Sequence, residues 1–276
     1  MELTKQDFSL TVVIPTLNSA ATLDWTLASL CPAGNVRVIV ADSFSDDGTH
    51  EICSRWNVEK ISVPAGNMYR AINAGLRLAR TDWIAYVNSD DWVFTASYLK
   101  MLETAEKSTA DVIYGSADYV DKSGRFLFST RPSGEKSAVA ILRSGRLPFC
   151  QPATIFRRTV YESLNGFDEQ YRAASDLDFF CRAALMECAF ARFGQQPVAA
   201  FRLHGSQISS KMPDLGEREQ AVIKERLQLR GSNRAKWAFL LWQLSNIPRY
   251  AERMIRTYEL SGKLTLERSS TPPKYE

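Results

Sequence analysis

Histidine is scarce: His50 and His204 are the only two in 276 residues. A metal centre built mainly from imidazoles is thereby excluded, and any divalent cation must lean on carboxylate oxygen. Long apolar runs are missing too. The longest candidate, Trp237 to Leu244, has eight residues and contains a Gln, against the ~20 needed to cross a bilayer. The opening MELTKQDFSLTVVIPT has no cationic start, no long apolar region and no small-residue cleavage site, so the expected location is the cytoplasm. The five cysteines (Cys31, Cys53, Cys150, Cys181 and Cys188) are odd in number and show no C-x-x-C spacing. Among apolar neighbours they read as buried free thiols rather than a disulfide framework. There is no G-x-G-x-x-G after the first strand, no G-x-x-x-x-G-K-[ST] and no G-x-S-x-G, which argues against a dinucleotide site, a P-loop and a hydrolase elbow.

What is present is ordinary for a globular protein: 45% hydrophobic and 24% charged residues. A net charge of +3 gives no ground for nucleic-acid binding, but the charge is uneven. From Glu217 to Lys263 there are ten basic against five acidic residues, so the excess lies at one end.

The first ~125 residues alternate between two periodicities, in the manner of βαβ units. Leu10 to Ile14, Val36 to Ala41, Glu59 to Val63 and Trp83 to Val87 read as strands. Helical spacing separates them: Ser19 to Leu30 with Ser19 as cap, Asp47 to Trp56, Met68 to Ala79, and then Thr95 to Lys107. After Asp111 come short strand-like pieces (Val112 to Tyr114, Ala117 to Val120, Phe126 to Ser129) and a helix near Glu135 to Arg143. Ala153 to Phe156, a helix over Leu177 to Cys188 and a strand near Val198 to Leu203 follow. Leu215 to Leu229 and Ala235 to Ile247 are amphipathic. This divides the chain into a catalytic-type domain at 1–210, a helical extension at 211–265 and a disordered tail at 266–276.

In open parallel sheets, ligands bind beyond the carboxyl ends of the strands. Four strands here end in polar turns: Pro15-Thr-Leu-Asn18, Asp42 to Thr49, Pro64-Ala-Gly-Asn67 and Asn88-Ser-Asp-Asp91. The adjacent carboxylates of Asp90 and Asp91 suit Mg²⁺ or Mn²⁺ on a substrate phosphate, and equally suit the cap of a following helix. Asp176 and Asp178 flank a helix start, where Asp176 is either a general base or a cap. Arg202 and His204 alternate at a strand end and would face the same way if the strand continues, which suits a phosphate or a metal-bound phosphate.

In this order the clusters resemble the family 2 glycosyltransferases. The matching stretches are Val13 to Asn18, Val40-Ala-Asp42 with Ser45 and Asp47-Gly-Thr49, Met68 to Gly75, Asn88 to Trp92, Gln151 to Arg158, Asn165-Gly-Phe-Asp168, Ala174 to Asp178, and Phe201 to Ser209. The resemblance covers residues 9 to 210 and is strongest to the branch that builds bacterial surface polysaccharides and lipid-linked oligosaccharides. It implies a GT-A (Rossmann-like) α/β fold with a mixed, mainly parallel central sheet, flanked by helices and followed by a C-terminal helical extension. It implies an inverting, metal-dependent transfer from a nucleotide-diphosphate sugar, UDP favoured, to a saccharide or lipid-linked hydroxyl. Pro15, Thr16, Asn18, Asp42, Asn73 and Asp90 would bind the donor. Asp91 and His204 would hold Mn²⁺ or Mg²⁺, Asp176 would be the base, and Gln151 and Trp92 would meet the acceptor. Ser43-Phe44 follows Asp42 where the family often has a second Asp, and Ser175 precedes Asp176 where an acid is often found. The competing readings are a catalytically silent GT-A domain and a sugar-nucleotide nucleotidyltransferase, whose Gly-rich basic first loop is missing here. The basic C-terminal helices would supply a peripheral contact with the inner face of the membrane or with a partner.

Overall fold

The computed structural model describes residues 8–205, 207 and 212–261. The expected tail at 266–276, the last residues of the helical extension, and Ser206, Ile208 and Ser209 lie outside the described residues. Nine strands form one sheet: β1 (Leu10–Thr16), β2 (Val36–Asp42), β3 (Glu59–Ser62), β4 (Trp83–Tyr86), β5 (Trp92–Val93), β6 (Val112–Val120), β7 (Phe126–Thr130), β8 (Thr154–Arg157) and β9 (Phe190–Arg202). Their order is β3-β2-β1-β4-β8-β6-β9-β5, with β7 paired to β6. The β3-β2-β1-β4 half is parallel throughout. Beyond β4 the sheet is mixed: β8 runs antiparallel to β4 and β6, while β9 runs parallel to β6.

Burial explains the readable half. Every residue of β1 is buried, as a strand covered on both faces requires, so it appears as a continuous apolar run. Alternate side chains then divide between two cores. Val13, Ile39, Ile84 and Tyr86 face helices α3 (Met68–Leu76), α5 (Glu135–Leu142), α6 (Arg158–Ser163) and α7 (Ser175–Leu185). Val12, Ile14, Val38 and Val40 face α1 (Leu23–Leu30), α2 (Thr49–Arg55) and α4 (Thr95–Glu106). All five cysteines are free; Cys53, Cys150 and Cys181 are buried, while Cys31 and Cys188 are half-buried.

The helical extension is α8 (Pro213–Arg226) and α9 (Asn233–Ser261). α8 sends Ile223, fully buried, into the first core. α9 lies along β7 and α5. Trp242 donates from Nε1 to the Arg131 carbonyl at 2.7 Å, and the buried Asn246 accepts from the Arg131 N–H at 2.9 Å. The guanidinium of Arg253 stacks on Phe128 and that of Arg249 reaches the Ser129 carbonyl. Two basic residues of the +5 segment therefore face the protein. The outward face of α9 instead shows Trp237, Leu240, Leu241, Leu244, Ile247, Met254, Ile255 and Tyr258, all exposed. No helix among the described residues is long and apolar enough to cross a membrane.

Four elements differ from expectation. α1 starts at Leu23 rather than Ser19, whose carbonyl accepts from the Thr22 and Leu23 N–H groups instead. The Asp90–Asp91 pair caps no helix, because the short strand β5 intervenes and α4 begins at Thr95. β9 begins eight residues before Val198, because a bulge opposite Tyr114–Ser116 absorbs Gly194 and Pro197, which read as breakers. α9 runs through Pro248 to Ser261. Pro248 is exposed, so the carbonyl it leaves unpaired can bond to water.

Gly75 is where α3 meets β1 most closely: a Cβ there would lie 2.6 Å from Cγ1 and 2.7 Å from Cγ2 of Val13. Gly75→Ala should lower unfolding free energy by about 1–3 kcal/mol, the usual cost of overpacking a core. Adding Val13→Ala should recover part of that loss in urea denaturation, despite the side chain removed.

Candidate active site

Three loops at the carboxyl edge of the parallel half are laced together. The Thr16 hydroxyl donates to the Ala41 carbonyl, and Pro15 and Thr16 pair in register with Ala41 and Asp42. The Asn18 N–H donates to Ser45 Oγ at 2.8 Å, and Asn18 Oδ1 accepts from the Asp46 N–H at 3.0 Å. Asp47 accepts from the Ala20 N–H and the Thr49 hydroxyl. Asp42, buried at the end of β2, accepts from the Ser45 hydroxyl at 2.5 Å and its N–H at 3.3 Å. Ser19 and Ser89 share a hydroxyl hydrogen bond of 2.7 Å, which ties in the loop after β4. Phe44 stands at the rim, 66% exposed with φ at +60°. A non-glycine residue in that region is strained and occurs mainly where function holds it.

In the loop after β4, the two carboxylates part company. Asp91 is completely buried; its Oδ1 accepts from the Arg202 N–H at 2.9 Å and its Oδ2 from the Asn88 amide at 3.4 Å. Burial, reinforced by the neighbouring Asp90, pushes its carboxyl well above the usual range. Asp90 is half-buried and its Oδ2 lies 2.6 Å from His204 Nε2. The Arg202 guanidinium donates to the Asp90 and Lys122 carbonyls and lies over both Trp25 and Trp92, whose rings also touch each other. β9 ends at Arg202, so His204 reaches Asp90 from beyond the strand. Asp91 is thus a buried anchor for the end of β9, and Asp90 with His204 is the accessible pair. A carboxylate oxygen and an imidazole nitrogen, both partly exposed, fit Mn²⁺ or Mg²⁺ with remaining positions left to phosphate oxygens and water. No group of three such side chains occurs among the described residues.

Asp176 sits half-buried in the first turn of α7. Its Oδ1 accepts from the Leu177 N–H at 2.8 Å and the Tyr69 hydroxyl at 3.3 Å. Burial pushes its carboxyl up to about 6, against those hydrogen bonds. Its charge and that of Asp91 both act on Tyr86 and Cys150, so the two carboxylates share one neighbourhood. Asp178 is fully buried and ion-paired to Arg182 and Arg226, and Arg226 also pairs with Asp168. Both are thus withdrawn from general-base duty.

Three expected contact residues are engaged within the protein. Asn73 is buried: its amide donates to the Phe167 carbonyl at 2.8 Å and Glu169 at 3.0 Å, and its Oδ1 accepts from the Phe167 N–H and the Tyr161 hydroxyl. It holds the turn at residues 166–169. Gln151 is buried and donates to the Tyr86 carbonyl at the end of β4; its Oε1 has no partner among the described residues. Trp92 is stacked on Trp25 and Arg202 and braces the latter. Sequence reading also missed residues. Tyr69, within a helical stretch that read as core, touches Asp176; Glu219 and Arg226, in the charged amphipathic extension, grip the segment that carries it. Charge alone offered no signal for either.

The Glycosyl transferase family 2 profile matches residues 11–164. The PGL/p-HBAD biosynthesis glycosyltransferase of Mycobacterium bovis is 25% identical over 229 residues, covering 79% of this chain and 86% of that protein. The succinoglycan biosynthesis protein ExoO of Rhizobium meliloti is 29% identical over 213 residues, covering 70% of this chain and 60% of its own length. Among solved structures, S. aureus TarS 1–349 in complex with UDP-GlcNAc matches with a TM-score of 0.63 at 18% identity, covering 93% of this chain and 77% of that one. The mannosyltransferase PcManGT from Pyrobaculum calidifontis, in complex with GDP-Man and Mn²⁺, matches with a TM-score of 0.59 at 18% identity, covering 92% and 76%. At such identities the structural likeness is one of fold, and that fold is GT-A. With its profile match spanning more than half the chain, the protein is a glycosyltransferase and belongs to glycosyl transferase family 2.

Proposed function

We propose that the chain transfers a sugar, with inversion, from a nucleotide-diphosphate donor to a hydroxyl of a saccharide or lipid-linked acceptor, in cell-surface polysaccharide assembly at the cytoplasmic side. The observation that carries this reading is the half-buried Asp176, fixed by the Leu177 N–H and the Tyr69 hydroxyl and sharing its neighbourhood with Asp91, which adjoins the Asp90–His204 pair. The UDP-GlcNAc and GDP-Man of the structural neighbours support a nucleotide-sugar donor, with a UDP-sugar favoured. The Mn²⁺ of the second supports a divalent cation. The relatives named for PGL/p-HBAD biosynthesis and for succinoglycan biosynthesis support the acceptor class.

The residues divide the work. Pro15, Thr16, Asn18 and Asp42 line the edge where a nucleotide would lie, with Ser45 fixing the Asp42 carboxylate. Asp90 and His204 would hold Mn²⁺ or Mg²⁺, which when bound offsets charge on the leaving diphosphate. Asp176 removes the proton from the attacking hydroxyl. Its raised carboxyl is still ionised at neutral pH yet basic enough to take a proton. Inversion is supported by the ion-pairing of Asp168 and Asp178, the other acids of the segment, to Arg226. Double displacement would need a second carboxylate placed to attack the sugar.

Asp176→Asn should lower turnover about 10²–10⁴-fold, with UDP affinity measured by calorimetry unchanged. A silent binding domain would show no turnover to lose. In the wild type, kcat/KM should rise with pH and level off above about 6, because the base must be deprotonated. An acid limb near 4 would contradict the burial of Asp176.

Asp90→Asn and His204→Ala should each weaken UDP binding in Mn²⁺ towards the value in EDTA. Asp91→Ala should chiefly destabilise the fold, since it leaves the Arg202 N–H without its acceptor at a buried anchor to β9. Equal UDP affinity with and without Mn²⁺ in the wild type would remove the cation from the scheme.

The outward apolar stripe of α9, with exposed Arg234 and Lys236 at its start, suits a lipid surface bearing the acceptor. Trp237→Glu with Leu241→Glu should abolish co-sedimentation with anionic vesicles while transfer to a water-soluble acceptor persists. Wild-type protein that stays in the supernatant would end this reading.

A further inference from the structure

α7 has no side-chain cap of its own: its N-cap residue is Ala174. The backbone leading into it has three successive N–H groups aimed at one acceptor. Arg172 N–H donates to Glu219 Oε1 at 2.8 Å, and Ala173 and Ala174 N–H donate to Glu219 Oε2 at 2.8 and 2.9 Å. Glu219 is buried on α8, 45 to 47 residues further along the chain. A carboxylate at a helix N-terminus offsets the dipole and satisfies donors that the helix cannot. This one also sets the path of the chain, because three bonds on consecutive residues leave that turn one geometry.

Asp176 follows two residues after Ala174. Its own side-chain contacts are few: a 2.8 Å bond from the adjoining Leu177 N–H, within the same turn, and a 3.3 Å bond from the Tyr69 hydroxyl. The place of its carboxylate in the cleft therefore depends on the backbone behind it. α8 is itself fixed on the same side. Glu219, Ile223 and Arg226 are spaced four and three residues apart and so share one helix face. Ile223 is fully buried in the core, and Arg226 pairs with Asp168 and Asp178 and stacks on Tyr171.

We infer that Glu219 is a positioning residue for transfer: through the N–H groups of Arg172, Ala173 and Ala174 it holds Asp176 in reach of the acceptor hydroxyl, which makes α8 part of the catalytic apparatus. The inference rests on the reading of Asp176 as the base. The titratable or charged groups around Asp176 are Tyr69 from α3, Tyr86 from β4, Cys150, Asp91 and Glu219, and of these Glu219 adds a negative charge that raises the Asp176 carboxyl. Its removal must therefore lower the pH at which Asp176 titrates.

The test uses the full chain with Glu219→Gln and Glu219→Asp. Three quantities are read: amide hydrogen exchange at residues 172–174, the carboxyl-carbon NMR titration of Asp176, and turnover of whichever UDP-, GDP- or dTDP-sugar the wild type consumes with Mn²⁺. For Glu219→Gln, exchange should quicken at least tenfold at those amides and the Asp176 midpoint should move to lower pH. Turnover per folded molecule should fall at least tenfold, while UDP affinity in Mn²⁺ stays within twofold. Glu219→Asp, which keeps the charge on a shorter arm, should recover part of the turnover, and it carries the test if the Gln variant folds poorly. In Glu219→Gln, unchanged exchange with an unchanged Asp176 titration would overturn the inference, as would wild-type turnover; in Glu219→Asp, quickened exchange at residues 172–174 with wild-type turnover would overturn it. If Asp176→Asn itself retained turnover, the base reading would fall first. If it lost turnover while Glu219→Gln kept it, the positioning role alone would fall.

Discussion

A carboxylate taken out of water must be given donors in exchange, and this constraint organises the whole cleft. Besides Asp121, which is held by the Ser123 and Arg125 N–H groups and the Arg125 guanidinium, the chain buries Asp42, Asp91, Asp178 and Glu219. Each has dedicated partners: the Ser45 hydroxyl and N–H, the Arg202 N–H with the Asn88 amide, the guanidinium groups of Arg182 and Arg226, and three backbone N–H groups. Asp90 and Asp176 are only half-buried, so part of each carboxylate still faces water. The buried carboxylates are spent on the architecture, and only the half-buried ones remain accessible.

The stretch carrying Asp176 is irregular from Leu164 to Ala174, and such a segment is not rigid by itself. It is gripped from two sides. From α3, Asn67 donates to the Glu169 and Tyr171 carbonyls while Asn73 closes on Phe167 and Glu169. From α8, Glu219 and Arg226 take the other flank. The two helices come from opposite ends of the sequence, so the extension is as much a part of the cleft as the sheet.

How much of this was legible depended on how local the cause was. β1, β2 and β4 showed as apolar runs because both faces are covered. β9 did not, because Gly194 and Pro197 look like breaks until the bulge against β6 is known. Asp90 and Asp91 are chemically identical neighbours. Only β9, by placing the Arg202 N–H on Asp91, decides which carboxylate turns inward. Asn73 belongs to a recognisable motif, but whether its amide faces a ligand or a loop is settled by Phe167, 94 residues away. Glu219 is one acid among several on a charged helix, and no spacing rule connects it with a turn 45 residues earlier.

The late position of β9 bears on how the protein comes into being on the ribosome. The β3-β2-β1-β4 half can assemble once the first ~90 residues have emerged, since its pairings are all internal to that stretch. Asp91 is then already made, yet its backbone donor is 111 residues away and the imidazole beside Asp90 is 114 away. Contacts closing loops of that length form slowly. Until β9 docks beside β6, Asp91 lacks the Arg202 N–H and Asp90 lacks the His204 imidazole, so this corner of the cleft is closed by the later part of the chain.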